Sequence, residues 1–263
     1  MILPCDAMHE MALRPNLGAA YTIAAPMTTV TDSLQLAAHM ILNADPALLR
    51  IVGLSLQVSA TACAIGIGFG LCLGAWLAVA RFPGHGLVVW MVNTLLALPS
   101  VVVGLVVYLM LSRSGPLGSL GILFTPTAMV IAQSILVVPL IAALARRVVL
   151  DALRGGGDQL RSLGAGPLLA ALLMLVHERF AVLVIALTAF GRAVAEVGAV
   201  MVVGGNIDGI TRVMTTAIAL ETTKGDLPLA LALGMVLLAV VGLINGLLAL
   251  LRGRSSTAQD AFV

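Results

Sequence analysis

Charge is scarce in this chain of 263 residues: 14 basic and 12 acidic residues make up 10% of it, against 60% hydrophobic residues. Soluble domains carry about 25% charged residues, so a surface of this composition would not stay solvated. That excludes a soluble enzyme or binding module and places the chain in a bilayer. The net charge of +2 is too small for a nucleic-acid footprint, and its basic residues are scattered over loops. Nucleic acid is not an expected partner.

Lysine occurs once, as Lys224 between Thr223 and Gly225, and no Gly-x-x-x-x-Gly-Lys-Ser/Thr stands anywhere. A phosphate cradle needs that lysine at a helix N-terminus, so the chain cannot be its own P-loop ATPase. The three cysteines, Cys5, Cys63 and Cys72, have no metal-ligand spacing and give neither a zinc site nor a disulfide framework. His9, His39, His85 and His177 are dispersed, and no Ser/His/Asp group or carboxylate pair stands in a span. No catalytic residue, cofactor or metal site is assigned, and an intramembrane hydrolase is not expected. No period of 20 to 50 residues repeats, which disfavours a solenoid or an internally duplicated transporter.

What the chain has in quantity is long apolar runs. Thirty residues between Arg50 and Arg81 and 31 between Arg81 and Arg113 carry no Asp, Glu, Lys or Arg. A membrane-spanning helix needs about 20 apolar residues. The first run is one span; the second is a span kinked at Pro99. A third covers about Phe124 to Ala145 with a bend at Pro139, a fourth Phe180 to Val203, and a fifth Leu227 to Leu251. The expected fold is all-α and polytopic, with about five transmembrane helices.

Between the third and fourth spans, Arg146 to Arg179 holds eight charges and reads as the one substantial polar loop. Within it Asp158, after three glycines, is placed as a helix N-cap; Leu160 and Leu163 lie one turn apart; Gly164, Ala165, Gly166 and Pro167 stop one helix and start another. The pattern is helix, sharp turn, helix. Eight basic residues flank this side of the spans and five the other, so the positive-inside rule puts the loop and C-terminus in the cytoplasm and the N-terminus outside.

Met1 to Met27 lacks a contiguous apolar stretch, so no cleavable signal peptide is expected, and translation from an internal methionine such as Met27 stays open. The chain divides into a disordered tail over 1–30, a short interfacial helix over 31–45, a transmembrane domain over 46–252 and a cytoplasmic tail over 253–263.

Three features remain. Gly66, Gly70 and Gly74 form a smooth helix face, for packing inside the monomer or for a dimer contact. Arg192 and Glu196 stand four apart on the fourth span, hence on one face. They are either a neutralised structural pair or part of a pathway or gate, since an intramembrane charge must face protein or a wet cavity. After them, Asn206, Thr211, Arg212, Thr215 and Thr216 either line an oxyanion route or belong to a solvated outer loop.

The loop resembles the EAA loop of ABC importer permeases: Asp158-Gln159-Leu160 stands for Glu-Ala-Ala, Gly164 for the glycine of the pattern, and Met174 to His177 for Ile-x-Leu-Pro. Gly164 and its neighbours Leu163, Ala165 and Pro167 carry the match. Further segments are similar to the molybdate and tungstate branch, above all its tungstate permeases: Leu98 to Leu105, Ser112 to Gly118, Phe124 to Met129, Gly191 to Val200 and Thr211 to Thr222. The resemblance implies a type I, MetI-like permease domain, non-catalytic and homodimeric, in a bacterial inner membrane. It implies an ABC ATPase gripping a coupling loop of Asp158, Leu160, Leu163, Gly164, Ala165 and Pro167. It also implies an external binding protein delivering an oxyanion, tungstate first, with molybdate or another small oxyanion as the alternative. A channel or secondary transporter working without an ATPase, and a non-transporting membrane scaffold, are the rival classes.

Overall fold

The computed structural model describes residues 45–260 and a few positions between 35 and 43; over 251–260 only the helical backbone is described. The expected tail over 1–30 and most of the interfacial helix over 31–45 lie outside the described residues. Among those described there is no strand. The helices are α1 (Pro46–Val79), α2 (His85–Leu95), α3 (Ser100–Leu111), α4 (Pro126–Ser162), α5 (Pro167–His177), α6 (Arg179–Val194), α7 (Gly198–Gly204), α8 (Met214–Lys224) and α9 (Leu227–Asp260).

Helix starts follow the local chemistry. Asp45 caps α1 by accepting from the backbone N–H groups of Ala47 and Leu48 at 2.8 and 3.3 Å, with Pro46 in the first turn, where a missing N–H costs nothing. Thr125 and Pro126 open α4 in the same way.

By length and composition α1, α4 and Leu227–Leu250 of α9 can each cross a membrane, and five spans result if each of two bent helix pairs is counted as one. Those pairs correct the expected spans. At Pro99 the chain does not kink but breaks: α2 and α3 meet at 101°. At about 16 and 18 Å, neither helix alone crosses a hydrocarbon layer of about 30 Å. The second pair, α5 and α6, meets at 79°. The fourth span then breaks again, since α6 stops at Val194 and α7 starts at Gly198.

The polar loop is corrected as well. Residues 146–162 are not loop but the continuation of α4, which runs unbroken through Pro139 and Gly155–Gly157 to Ser162. Asp158 is therefore no N-cap: it lies inside the helix, its side chain fully exposed, 3.5 Å from Arg161. Three glycines, each costing about 1 kcal/mol relative to Ala in a helix, are outweighed here because α5 packs back against this end of α4. At the other end of the sequence, α9 carries the helix to Asp260, into the segment assigned as tail.

The central contact is α1 against α4. Gly66, Gly70 and Gly74 face Val137, Ile141 and Ala142, so the glycine face serves packing within the monomer. A Cβ on Gly70 would come within 2.7 Å of Ile141 Cβ, and one on Gly74 within 2.6 Å of the Ala142 carbonyl oxygen. Small residues let two backbones approach, which is how helices gain dispersion contacts in lipid. By contrast, Gly68, Gly242 and Gly246 face open space.

Gly74→Val should destabilise the chain by about 1–3 kcal/mol, the usual cost of overpacking, while Gly68→Val should change stability by less than about 0.5 kcal/mol. Thermal unfolding of the purified chain in detergent, read together with the yield of monodisperse protein, checks the contrast.

Candidate functional site

Three places gather the residues singled out by sequence. The first is the turn between α4 and α5. Gly164 adopts φ +84°, a left-handed conformation open to glycine at no steric cost. Its N–H donates to the Arg161 carbonyl at 2.9 Å and the Ala165 N–H to the Leu160 carbonyl at 3.0 Å, the paired bonds of a Schellman ending. Pro167 then occupies the first turn of α5. The helix–turn–helix expected from sequence is present, with Leu163 at its tip 83% exposed. Beside the tip, Leu160 lines an open groove of about 810 Å³ between α4 and α5, with Asp151, Gln159, Met174 and His177.

The second place is the break between α6 and α7. Arg192 Nη1 donates to Glu196 Oε2 at 2.8 Å, so the two pair as their spacing predicts. They do not share a helix: Arg192 is in the last turn of α6 and Glu196 in the break. The pair is also lopsided, the Arg192 side chain being 51% exposed and that of Glu196 only 4%. Glu196 Oε1 accepts from the Ala199 N–H at 3.2 Å, the start of α7, where a helix N-terminus favours negative charge. Ser100, at the start of α3, packs beside this start of α7, its Oγ 2.7 Å from where a Cβ on Gly198 would stand. Thr215 Oγ1 donates to the Glu196 carbonyl at 2.8 Å, and Gln133 Nε2 donates to the Ala193 carbonyl at 3.1 Å. Four helices besides α6 are thus tied to one break: α3, α4, α7 and α8.

The third place, reached through the Gly204–Val213 turn, is the start of α8. Thr211, Thr215 and Thr216 are buried, whereas Gly205 and Ile207 to Ile210 of the turn before them are exposed. Their hydroxyls donate to the carbonyls of Gly204, Glu196 and Val213, which leaves them pinning backbone. Asn206, in the left-handed region at φ +52°, donates to the Thr216 carbonyl at 3.2 Å. Arg212 lies 3.3 Å from Asp208 and 3.8 Å from buried Glu221, which Lys224 also approaches at 3.0 Å. Sequence reasoning missed Ser100, Gln133 and Glu221. Only Gln133 carried a signal, as the lone amide inside an otherwise apolar span.

Arg192→Gln should be the costliest change at the break, by about 3–5 kcal/mol, because it strands a buried carboxylate. Glu196→Gln should cost less, since a half-exposed guanidinium has other partners to find, and the double variant should recover most of the loss. Thermal unfolding and assembled yield of the three proteins decide; a double variant that loses the sum of the two single losses would show the pair to contribute nothing to folding.

No known family profile matches the chain. It is 41% identical over 224 residues, 84% of its length and 97% of the relative's, to the tungstate uptake system permease protein TupB of Peptoclostridium acidaminophilum. It is 39% identical over 213 residues, 79% of its length and 92% of the relative's, to a probable anion ABC transporter permease protein of Haloferax volcanii. A tungstate uptake system permease protein TupB from Campylobacter jejuni is 35% identical over 216 residues, 82% and 90% of the two chains. Identity at this level, along nearly the whole length of such relatives and on an all-helical fold with paired and broken spans, has one consequence: the chain belongs to the membrane-spanning permeases of ABC transporters.

Proposed function

We propose that this chain is the transmembrane subunit of an ATP-driven importer that takes an oxyanion, tungstate, from an external binding protein and passes it into the cytoplasm. The observation that carries this reading is the α4–turn–α5 projection, with exposed Leu163 at its tip and Gly164 in a left-handed turn. Such a projection from the end of a 37-residue helix is a handle: force applied to the turn acts on the same helix that holds the α6–α7 break through Gln133. The substrate rests on the relatives, two of which carry tungstate uptake in their names.

The projection takes the ATPase through Asp158, Leu160, Leu163, Gly164, Ala165 and Pro167, and lies in the cytoplasm with the C-terminus; the N-terminus lies outside. Arg192, Glu196, Asn206, Thr211, Arg212, Thr215 and Thr216 form or brace the route. The working unit is a homodimer. Arg192 stands about 20 Å along α6 from Arg179, inside the bilayer, with half its side chain uncovered. A cation there must face protein or water rather than lipid, and a second copy closing over it supplies both.

The test is reconstitution of the chain with an ABC ATPase and an oxyanion-binding protein, followed by uptake of tungstate and molybdate into vesicles. Uptake should require all three proteins and ATP, and the chain alone should hydrolyse none. Gly164→Trp should reduce ATP-driven uptake at least about tenfold without loss of folded protein, because the position faces open space yet only glycine adopts its φ without strain. Uptake that persists without ATPase would favour a channel.

A further inference from the structure

The end of the bundle that carries the α4–α5 turn has a second basic feature, one that nothing above uses. Between α1, α2 and α4 lies a largely enclosed cavity of about 80 Å³, several times the roughly 10–15 Å³ needed for a water. Leu77, Val92 and Ala142 contribute its apolar wall and Asn93, Arg146 and Arg147 its polar side. Among the described residues neither arginine has a carboxylate within 4.0 Å: Asp151 and Asp158, nearest in sequence, lie beside Arg154 and Arg161 instead. Arg146 Nε is buried without a hydrogen-bond partner. Two adjacent arginines thus line one cavity, and no carboxylate among the described residues offsets their charge.

Depth says what supplies it. Arg146 is 20 residues beyond Pro126, about 30 Å along α4, which is the thickness of the hydrocarbon layer. The pair therefore stands at head-group level. Its surroundings agree: Trp76 stacks on Phe82 at 5.4 Å, Phe82 meets His85 edge-on at 5.6 Å, and His85 Nε2 lies 2.9 Å from the Leu77 carbonyl oxygen. Amphipathic rings gather at membrane–water boundaries. A guanidinium presents a planar fork of N–H donors that fits two oxygens of a tetrahedral oxyanion, and basic pockets between helices at this depth accept phospholipid head groups.

We propose that Asn93, Arg146 and Arg147 form a binding site for the phosphate of an anionic lipid head group, in the leaflet on the side of the α4–α5 turn. The site differs from the α6–α7 break and does not depend on which ion is transported. It holds α2 against α4 through a lipid that bridges them.

The test uses the full-length chain, delipidated in detergent and titrated with phosphatidylglycerol or phosphatidylcholine under native mass spectrometry. One phosphatidylglycerol per chain should persist, preferred over phosphatidylcholine. Arg146→Gln with Arg147→Gln should weaken retention at least about tenfold, since that loss, about 1.4 kcal/mol, is less than one hydrogen bond to a charged group contributes. Arg154→Gln, on the exposed face of the same helix, should leave it unchanged. Should the double variant fail to assemble, Arg147→Gln alone, an exposed position, still predicts a several-fold loss. In a second arm, inorganic phosphate is titrated into the chain in phosphatidylcholine nanodiscs; saturation there, with no preference for phosphatidylglycerol, would keep the anion site but overturn lipid as its source. Equal retention of phosphatidylglycerol by the wild-type chain and the variants would overturn the site itself.

Discussion

A backbone break inside a bilayer is permissible only where every freed N–H and C=O finds a partner, because in hydrocarbon each orphan costs several kcal/mol. The break between α6 and α7 gathers such partners around one buried carboxylate. Glu196 closes the start of α7 through Ala199, neutralises Arg192, and offers its own carbonyl to Thr215. Gln133 takes the Ala193 carbonyl at the end of α6. The rest of the packing is arranged to bring these groups together. Gly104 lies against Ala199, where a Cβ would come within 2.8 Å of its Cα, and Gly198 against Ser100 and Val101. Larger residues at either glycine would push α3 away from α7 and open the carboxylate to solvent.

This explains what could be read from the sequence and what could not. The spans were legible because hydrocarbon thickness and the near absence of charge leave little choice of where α1, α4 and α9 lie. The turn at Gly164 was legible too, since a left-handed ending followed by proline is written in four consecutive residues. The breaks were not. Pro99 announces a disturbance, yet whether it yields a kink or a 101° turn depends on α7 being there to receive α3. Nothing local marks Ala195 to Val197 as non-helical; their conformation is held by Ser100, Gln133 and Thr215, from 19 to 96 residues away. Asp158 misled for the complementary reason. Three glycines followed by Asp look like a helix start only if α5, which stabilises the helical form of this stretch, is left out.

The continuity of α4 gives the two ends of the molecule a mechanical connection. Its 37 residues amount to about 55 Å, longer than the hydrocarbon layer is thick, so the surplus projects as the first arm of the α4–α5 turn. Along its length the same helix packs on the glycine face of α1 and anchors the break through Gln133. Displacement of the turn is passed along a helix that has no break, with Pro139 and Gly155 to Gly157 as its most pliable points. Where these hold, it moves the α1–α4 pair together or shears α4 past its neighbours.

The lopsided ion pair decides which of those motions a charged substrate would notice. A fully buried Arg192–Glu196 pair would be electrostatically quiet, its dipole closed on itself. As built, the carboxylate is held by both Arg192 and the Ala199 N–H while the guanidinium uses one Nη and leaves about half its side chain uncovered. Shear of α4 shifts Ala193 through the Gln133 hydrogen bond, and Ala193 adjoins Arg192 on the same helical turn. The carboxylate is tied instead to α7 through the Ala199 N–H, so any unequal displacement of α6 and α7 changes the pair's separation. A change in the pair's separation therefore alters how much positive potential the break presents to its open side. In the importer proposed here, that provides a physical link between force on the coupling turn and the affinity of the route for an oxyanion.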